Sequence, residues 1–295
     1  MNPEFLENIR HSFDDGDIWL QKLPELLNLF AAQWELDLGA PFENLSFNYV
    51  APAKWEGQDV VFKLGVPREE LHTEIAALKL WNGSGGVKLL KADPEQGALL
   101  IERLFPGQML STLPEAQTVP IMCEVMEKIW HPVPAEHAFP SIEQWHQGLV
   151  EFPRSGTAFP AEMLDLAEGF YQELTASAEE PVVLHGDLHH FNVLQHGENW
   201  LAIDPKGIIG ERAYEIGAFL RNPWPVLYDL YSPEELQNVQ ARRVDAFAER
   251  LGLSRERILK WSVYIFVLSG CWGYAETRDD WKKELLGAEV LRGLL

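Results

Sequence analysis

The sequence predicts an α+β chain folded as two lobes: a small antiparallel-sheet lobe carrying N-terminal helices, then a mainly helical lobe. Three observations lead there. At 295 residues the chain is long for a single hydrophobic core. Residues 46–104 run in the order strand, strand, helix, strand, strand. After Phe105-Pro106-Gly107 the pattern changes to helical periodicity and proline-rich loops. The lobe boundary therefore falls near Leu104 to Gly107, giving an N-lobe of residues 1–104 and a C-lobe of residues 105–295. An apolar fraction of 46%, with eleven Trp, supplies packed interiors for both.

Residues 3–13 and 17–36 read as amphipathic helices, with Asp14, Asp15, Gly16 and Asp17 as the break. Leu20, Leu23, Leu27, Phe30 and Trp34 recur at three- and four-residue steps and define one apolar face. Gly39 and Pro41 end this region. Strands from Ser46 to Ala53 and Asp59 to Leu64 are joined by a turn holding Gly57. Pro67 opens a helix to about Asn82, with Leu71, Ile75 and Leu78 on one side. Gly83 to Gly86 is a loop, and Val87 to Lys91 and Ala98 to Leu104 are short strands around an Asp93-Pro94 turn and Gly97.

In the second lobe, helices are expected at 115–130, 141–150, 160–177, 212–221, 233–251, 254–275 and 279–293. Ser232, Pro233 and Glu235 supply the N-cap, first-turn proline and capping box of the helix at 233. Short strands at 182–184, 192–195 and 200–203 frame one polar loop.

Charge narrows the function classes. The formal net charge is −21, from 45 acidic residues against 24 Lys and Arg, which excludes nucleic acid as a natural partner. Such a field attracts cationic ligands, or serves only solubility; composition leaves both open. The N-terminal segment through Glu43 is the extreme, with nine acids against two bases. Cys123 and Cys271 lack C-x-x-C spacing and read as buried thiols of a reduced compartment. The start MNPEFLENIRHSFDD is acidic and has no apolar signal core. The run from Trp261 to Ala275 is too short to span a bilayer. A cytoplasmic protein with no membrane partner is expected.

The chemistry concentrates in HGDLHHFNVL, His185 to Leu194, and LAIDPKG, Leu201 to Gly207. Asp187 precedes Asn192 by five residues, and Asp204 follows twelve later. Phosphoryl transfer needs that order: an Asp to orient the attacking hydroxyl and take its proton, then an Asn and a second Asp to hold the magnesium on the nucleotide phosphates. Upstream, Lys63 sits in DVVFKLG near a strand end, where a charge among alternating apolar residues needs a reason. Contact with phosphate, held by a helix carboxylate, supplies one. Glu74 lies between Leu71 and Leu78 on the inward face and is the preferred partner; Glu70, one turn earlier, is the alternative.

A hinge between lobes would fall at Ile101 to Leu104, where the carbonyl of Glu102 and the N–H and carbonyl of Leu104 suit adenine. No G-x-G-x-x-G is present; the backbone amides of Ala51 and Ala53 are the only candidates for approach to phosphate. His185, His189, His190 and His196 raise a zinc site, but their spacing matches no standard motif and Asp and Asn oxygens suit magnesium better. Lys206 either neutralises phosphate charge or pairs with a carboxylate.

These segments resemble the aminoglycoside phosphotransferases. HGDLHHFNVL with AIDPKGIIGERAYEIGAFLRNP is most similar to the streptomycin 6-phosphotransferase branch, whose members are also labelled hydroxyurea phosphotransferases. NYVAPA, VVFKLG, EIAALKLW, GALLIERLFPG and VMEKIWHP extend the likeness over about residues 40 to 275. The resemblance implies a two-lobed protein-kinase-like fold and ATP- and Mg2+-dependent phosphorylation of a small cationic antibiotic. By motif position it implies Asp187 as catalytic base, Asn192 and Asp204 as magnesium ligands, and Lys63 with Glu74 on the phosphates. Glu215 is expected to support the loops.

Streptomycin carries guanidinium groups, so Asp187, Glu276, Asp279 and Asp280 become candidate substrate contacts, and Trp224 and Trp272 candidate cation–π faces. Two alternatives stay open: a kinase of this fold acting on another metabolite, or a nucleotide-binding module whose acidic surface takes a basic protein.

Overall fold

The computed structural model describes residues 2–223, 226–276 and 279–295; Trp224 lies outside the described residues. The architecture is α+β in two lobes, and each lobe is built around its own sheet–helix packing.

In the N-lobe a five-stranded antiparallel sheet runs in the order β1-β2-β3-β5-β4. Its strands are β1 (Asp37–Leu38), β2 (Tyr49–Trp55), β3 (Gln58–Leu64), β4 (Leu89–Asp93) and β5 (Ala98–Glu102). The β2–β3 hairpin closes at Glu56 and Gly57, both at positive φ, and pairs Tyr49 with Leu64 through to Trp55 with Gln58. Strand β2 thus begins and ends later than the pattern of residues 46–53 predicts. Helices α1 (Pro3–Ser12) and α2 (Gly16–Gln33) cover one face. Phe30 and Trp34 of this layer meet Phe62 of β3, with ring centroids 5.7 and 6.0 Å apart. Helix α3 (Glu69–Trp81) covers the other face through Leu71, Ile75 and Leu78. The acidic N-terminal helices are therefore a packing layer of the N-lobe.

Chain direction reverses at Arg103 to Phe105, and β6 (Pro106–Met109) pairs with β9 (Val193–His196), itself paired with β10 (Asn199–Ala202). The crossing is tied to that hairpin, since Gly197 N–H donates to Phe105 O (2.7 Å). After one 3-10 turn at Leu110–Thr112 come α4 (Glu115–Ile129), β7 (His131–Pro132), α5 (Ile142–Val150) and α6 (Ala161–Ala176). β8 (Val182–Leu184) lies between β7 and β11 (Ile208–Gly210) in a second small sheet. The chain closes with α7 (Arg212–Arg221), α8 (Val226–Leu230), α9 (Pro233–Leu251), α10 (Arg255–Ala275) and α11 (Trp281–Arg292).

Helix α10 is the axis of the C-lobe, because its residues from Ile258 to Cys271 are buried on nearly every side. Ser232 and Glu235 form the capping box at the start of α9. Cys123 and Cys271 are free and buried, and burial pushes each thiol up to about 12. No helix among the described residues is long and apolar enough to cross a membrane.

Candidate active site

The β3–β5 pairing and the packing of α3 on the sheet fix the first part of the site. Lys63 lies opposite Val50 on one side and Leu99 on the other, so its stem is sealed within the sheet and only its ammonium reaches the cleft. That ammonium donates to both Glu74 oxygens, at 2.7 and 2.9 Å, and to Asp204 Oδ1 at 3.0 Å. Burial works to lower the Lys63 pKa, but the two carboxylates outweigh it and hold the group protonated. Glu70, one turn before Glu74, reaches Lys206 instead.

His185 and Glu215 organise the loop at residues 185–192 from beneath. His185 is fully buried; its Nε2 donates to Ile203 O (2.8 Å) and its Nδ1 accepts from the Asp187 N–H (3.2 Å), which fixes the tautomer. Burial lowers its pKa to about 4, so the ring is neutral. The Glu215 carboxylate accepts from the N–H groups of His185 (2.7 Å) and Gly186 (2.9 Å). Gly186 sits at φ +85, and a Cβ there would meet Ile208 at 2.8 Å, so the turn accepts only glycine.

Asp187 is thereby presented to the cleft. Burial opposes its ionisation, but His189, Lys206 and Arg221 outweigh that and hold the carboxyl below the usual aspartate range. His189 Nε2 lies 3.6 Å from Asp187 Oδ2. Asn192 turns its amide nitrogen onto Asp187 O (3.0 Å), which directs its carboxamide oxygen elsewhere. Asp204 lies two residues beyond β10 at φ +58, with its side chain half exposed (49%). Burial works to raise its pKa, but Lys63 and Lys206 draw it below the ordinary range, so an ionised carboxylate stands beside the lysine. The other histidines are committed separately: His190 stacks on Phe219 at 4.0 Å, and His196 Nδ1 accepts from Phe105 N (3.2 Å).

One sequence expectation changes. Ala51 and Ala53 lie buried inside β2, between its neighbours β1 and β3, so their peptides belong to the sheet and not to a phosphate loop. Asn48, which ends the β1–β2 connection, would instead put its amide oxygen 2.3 Å from a Cβ on Gly65, two residues beyond Lys63. At the hinge, Glu102 ends β5 and its carboxylate accepts from Lys88 N (2.7 Å), while Leu104 is buried.

On the acceptor side the Trp145 ring edge approaches Gly186, and Trp272 crosses Trp145 edge-on at 5.8 Å. Arg221 is bound to the buried Glu284 of α11 (2.8 Å), which also accepts from Ser269 (3.0 Å). Glu276 and Asp279 lie on the exposed turn between α10 and α11, where Asp279 pairs with Lys282 at 3.6 Å. Arg221, Glu284 and Trp145 escape the sequence reading. A local sign existed for Glu284, which shares an inward helical face with Ala288 and Leu291.

A strand lysine clamped by a helix glutamate, above a loop that presents an Asp, an Asn and a second Asp, defines a phosphotransferase of kinase-like fold. Residues 36–277 match the family of aminoglycoside/hydroxyurea antibiotic resistance kinases, and the chain belongs to that family. It is 28% identical over 266 residues to the streptomycin 6-kinase of Streptomyces glaucescens, covering 88% of this chain and 85% of that one. It is 30% identical over 298 residues to the hydroxyurea phosphotransferase of Kitasatospora aureofaciens, covering 97% and 83%. In structure it resembles the aminoglycoside phosphotransferase APH(4)-Ia, with a TM-score of 0.65 at 13% identity over 92% of this chain and 98% of that one. A thermostable mutant of that protein has been solved with ADP and hygromycin B. The chain is an enzyme, a phosphotransferase with an alcohol group as acceptor.

Proposed function

We propose that this enzyme transfers the γ-phosphoryl group of ATP to a hydroxyl of a small cationic aminoglycoside, with streptomycin the leading acceptor. The observation that carries the proposal is the convergence of Lys63, Glu74 and Asp204 within 3.0 Å at the mouth of the loop holding Asp187 and Asn192. Residues 1–104 form the nucleotide-binding lobe, with Glu102 and Leu104 offering backbone groups to adenine. Residues 105–295 carry the catalytic loop and the acceptor site.

Asp187 orients the acceptor hydroxyl and takes its proton, and its depressed pKa keeps it ionised for that task. Lys63 lies on the nucleotide phosphates with Glu74 holding its direction. Asn192 and Asp204 are the magnesium ligands: one amide oxygen and one ionised, half-exposed carboxylate fit a hard cation that keeps several waters. A magnesium ion held by these two residues would neutralise charge on the nucleotide phosphates. Catalysis by the chain is positioning, with the attacking oxygen in line and water displaced by Trp145 and Trp272.

The net charge of −21 and the family support a cationic acceptor. Arg221 near Asp187 is neutralised by Glu284, and Glu276, Asp279 and the exposed face of Trp272 are the candidates to meet the guanidinium groups.

The test is purified protein with Mg-ATP against streptomycin, hygromycin B, hydroxyurea, choline and a set of hydroxylated metabolites, with products read by mass. Streptomycin should gain one phosphoryl group with the highest kcat/KM. A metabolite turned over far better than streptomycin would move the enzyme to another acceptor class.

A further inference from the structure

Lys206 is a charged residue of the cleft to which the phosphotransfer roles give no task. It lies two residues beyond Asp204, and its N–H donates to His185 O at 2.8 Å. A Cβ on Gly186 would meet the Lys206 Cβ at 3.1 Å, so the side chain starts against the catalytic loop. Thr73 of α3 holds the Lys206 backbone by donating to its carbonyl (2.5 Å), which leaves the side chain as the movable part. The ammonium pairs with Glu70, and both side chains are about a third exposed (35% and 36%). Its charge also acts on Asp187, Asp204 and Glu74. One cation therefore stands between the residue facing the acceptor and the residues facing the nucleotide.

With both side chains about a third exposed, the pair is only partly shielded from water and can exchange partners. A terminal phosphate offers more charge and more acceptor oxygens than Glu70 does. We propose that Lys206 is a further catalytic residue: when a nucleoside triphosphate enters, its ammonium leaves Glu70 and binds the terminal phosphoryl group during transfer. The inference rests on the phosphotransfer reading of the cleft. In that step the acceptor oxygen bonds to the γ-phosphorus while the bond from that phosphorus to the β–γ bridging oxygen breaks. The bonding pair stays on the departing diphosphate, and the acceptor proton passes to Asp187. Lys206 keeps its own protons and neutralises charge on the non-bridging oxygens. Glu70 holds the ammonium between turnovers, which gives α3 a use for a second glutamate one turn before Glu74.

The test compares binding of AMP-PNP and ADP, each with magnesium, to the full chain by titration calorimetry. Lys206→Met should weaken AMP-PNP about tenfold and ADP about twofold or less, since only the former has the terminal phosphate. With an accepted substrate its kcat should fall about a hundredfold or more. Glu70→Gln should tighten AMP-PNP, because it removes the competitor for the ammonium. Equal effects of Lys206→Met on both nucleotides, or none, overturn the proposal. So does a Glu70→Gln protein that loses AMP-PNP affinity, which marks the pair as a brace for α3. Should Lys206→Met fail to fold, Glu70→Gln decides alone. Wild-type protein that binds AMP-PNP but phosphorylates no acceptor counts against the acceptor assignment only, because these readings need no acceptor.

Discussion

Asp187 and the buried histidines give the site its behaviour at the scale of single residues. Replacing Asp187 with Asn keeps the shape of the loop and removes the proton acceptor. Phosphotransfer should be abolished while AMP-PNP affinity stays within about threefold, and full turnover by this variant would sink the base assignment. His190 is enclosed against Phe219, and burial drives its pKa down to about 2. Its folded pKa lies below the unfolded value of about 6.5. The unfolded chain therefore takes up a proton as pH falls through that value, and the folded chain does not. The stability tied to this ring is present above about pH 6.5 and is lost progressively below it. His190→Leu should flatten the fall in unfolding free energy between pH 6 and 4 by ~1.4 kcal/mol per pH unit, measured by urea titration at each pH. An unchanged slope would show that the ring is protonated in the folded state.

Helix α3 and the N-terminal pair α1–α2 carry the consequences at the scale of elements. Phe30 is fully buried between Trp34 and Phe62, so Phe30→Ala should cost about 3–5 kcal/mol of stability in denaturant unfolding. A loss near zero would mean that α2 is not a structural layer. Thr73→Val keeps the shape and removes the bond to Lys206 O; it should cost about 1 kcal/mol and lower kcat more than nucleotide affinity.

The sequence made the long elements legible for a plain reason. Leu20, Leu23, Leu27 and Phe30, or Leu71, Ile75 and Leu78, bury one face at helical spacing, and that spacing is visible in the chain itself. Strands β1, β6, β7 and β11 have two to four residues each and no alternation to read; their partners create them. The loop residues Asp187, Asn192 and Asp204 were likewise visible, because a short interval fixes their order. Arg221 with Glu284 was not, since those residues are 63 positions apart and meet only when α7 packs beside α10 and α11.

For the whole molecule the decisive property is charge. A net charge of −21 spread over 295 residues makes a long-range field that salt screens within about 8–10 Å. If that field speeds capture of a cationic acceptor, kcat/KM for streptomycin should fall several-fold between about 20 and 300 mM salt, with kcat nearly constant. A neutral acceptor that the enzyme turns over serves as the control and should show no such trend. Equal salt dependence for both would assign the charge to solubility alone.

One feature reaches beyond the reaction. Helix α3 is fastened to residues 204–206 by Lys63, which joins Glu74 to Asp204, and by the Thr73 hydroxyl on Lys206 O. An inhibitor that works by prising this helix off the loop must break all of these together. An inhibitor is better shaped to fit the cleft with those ties in place.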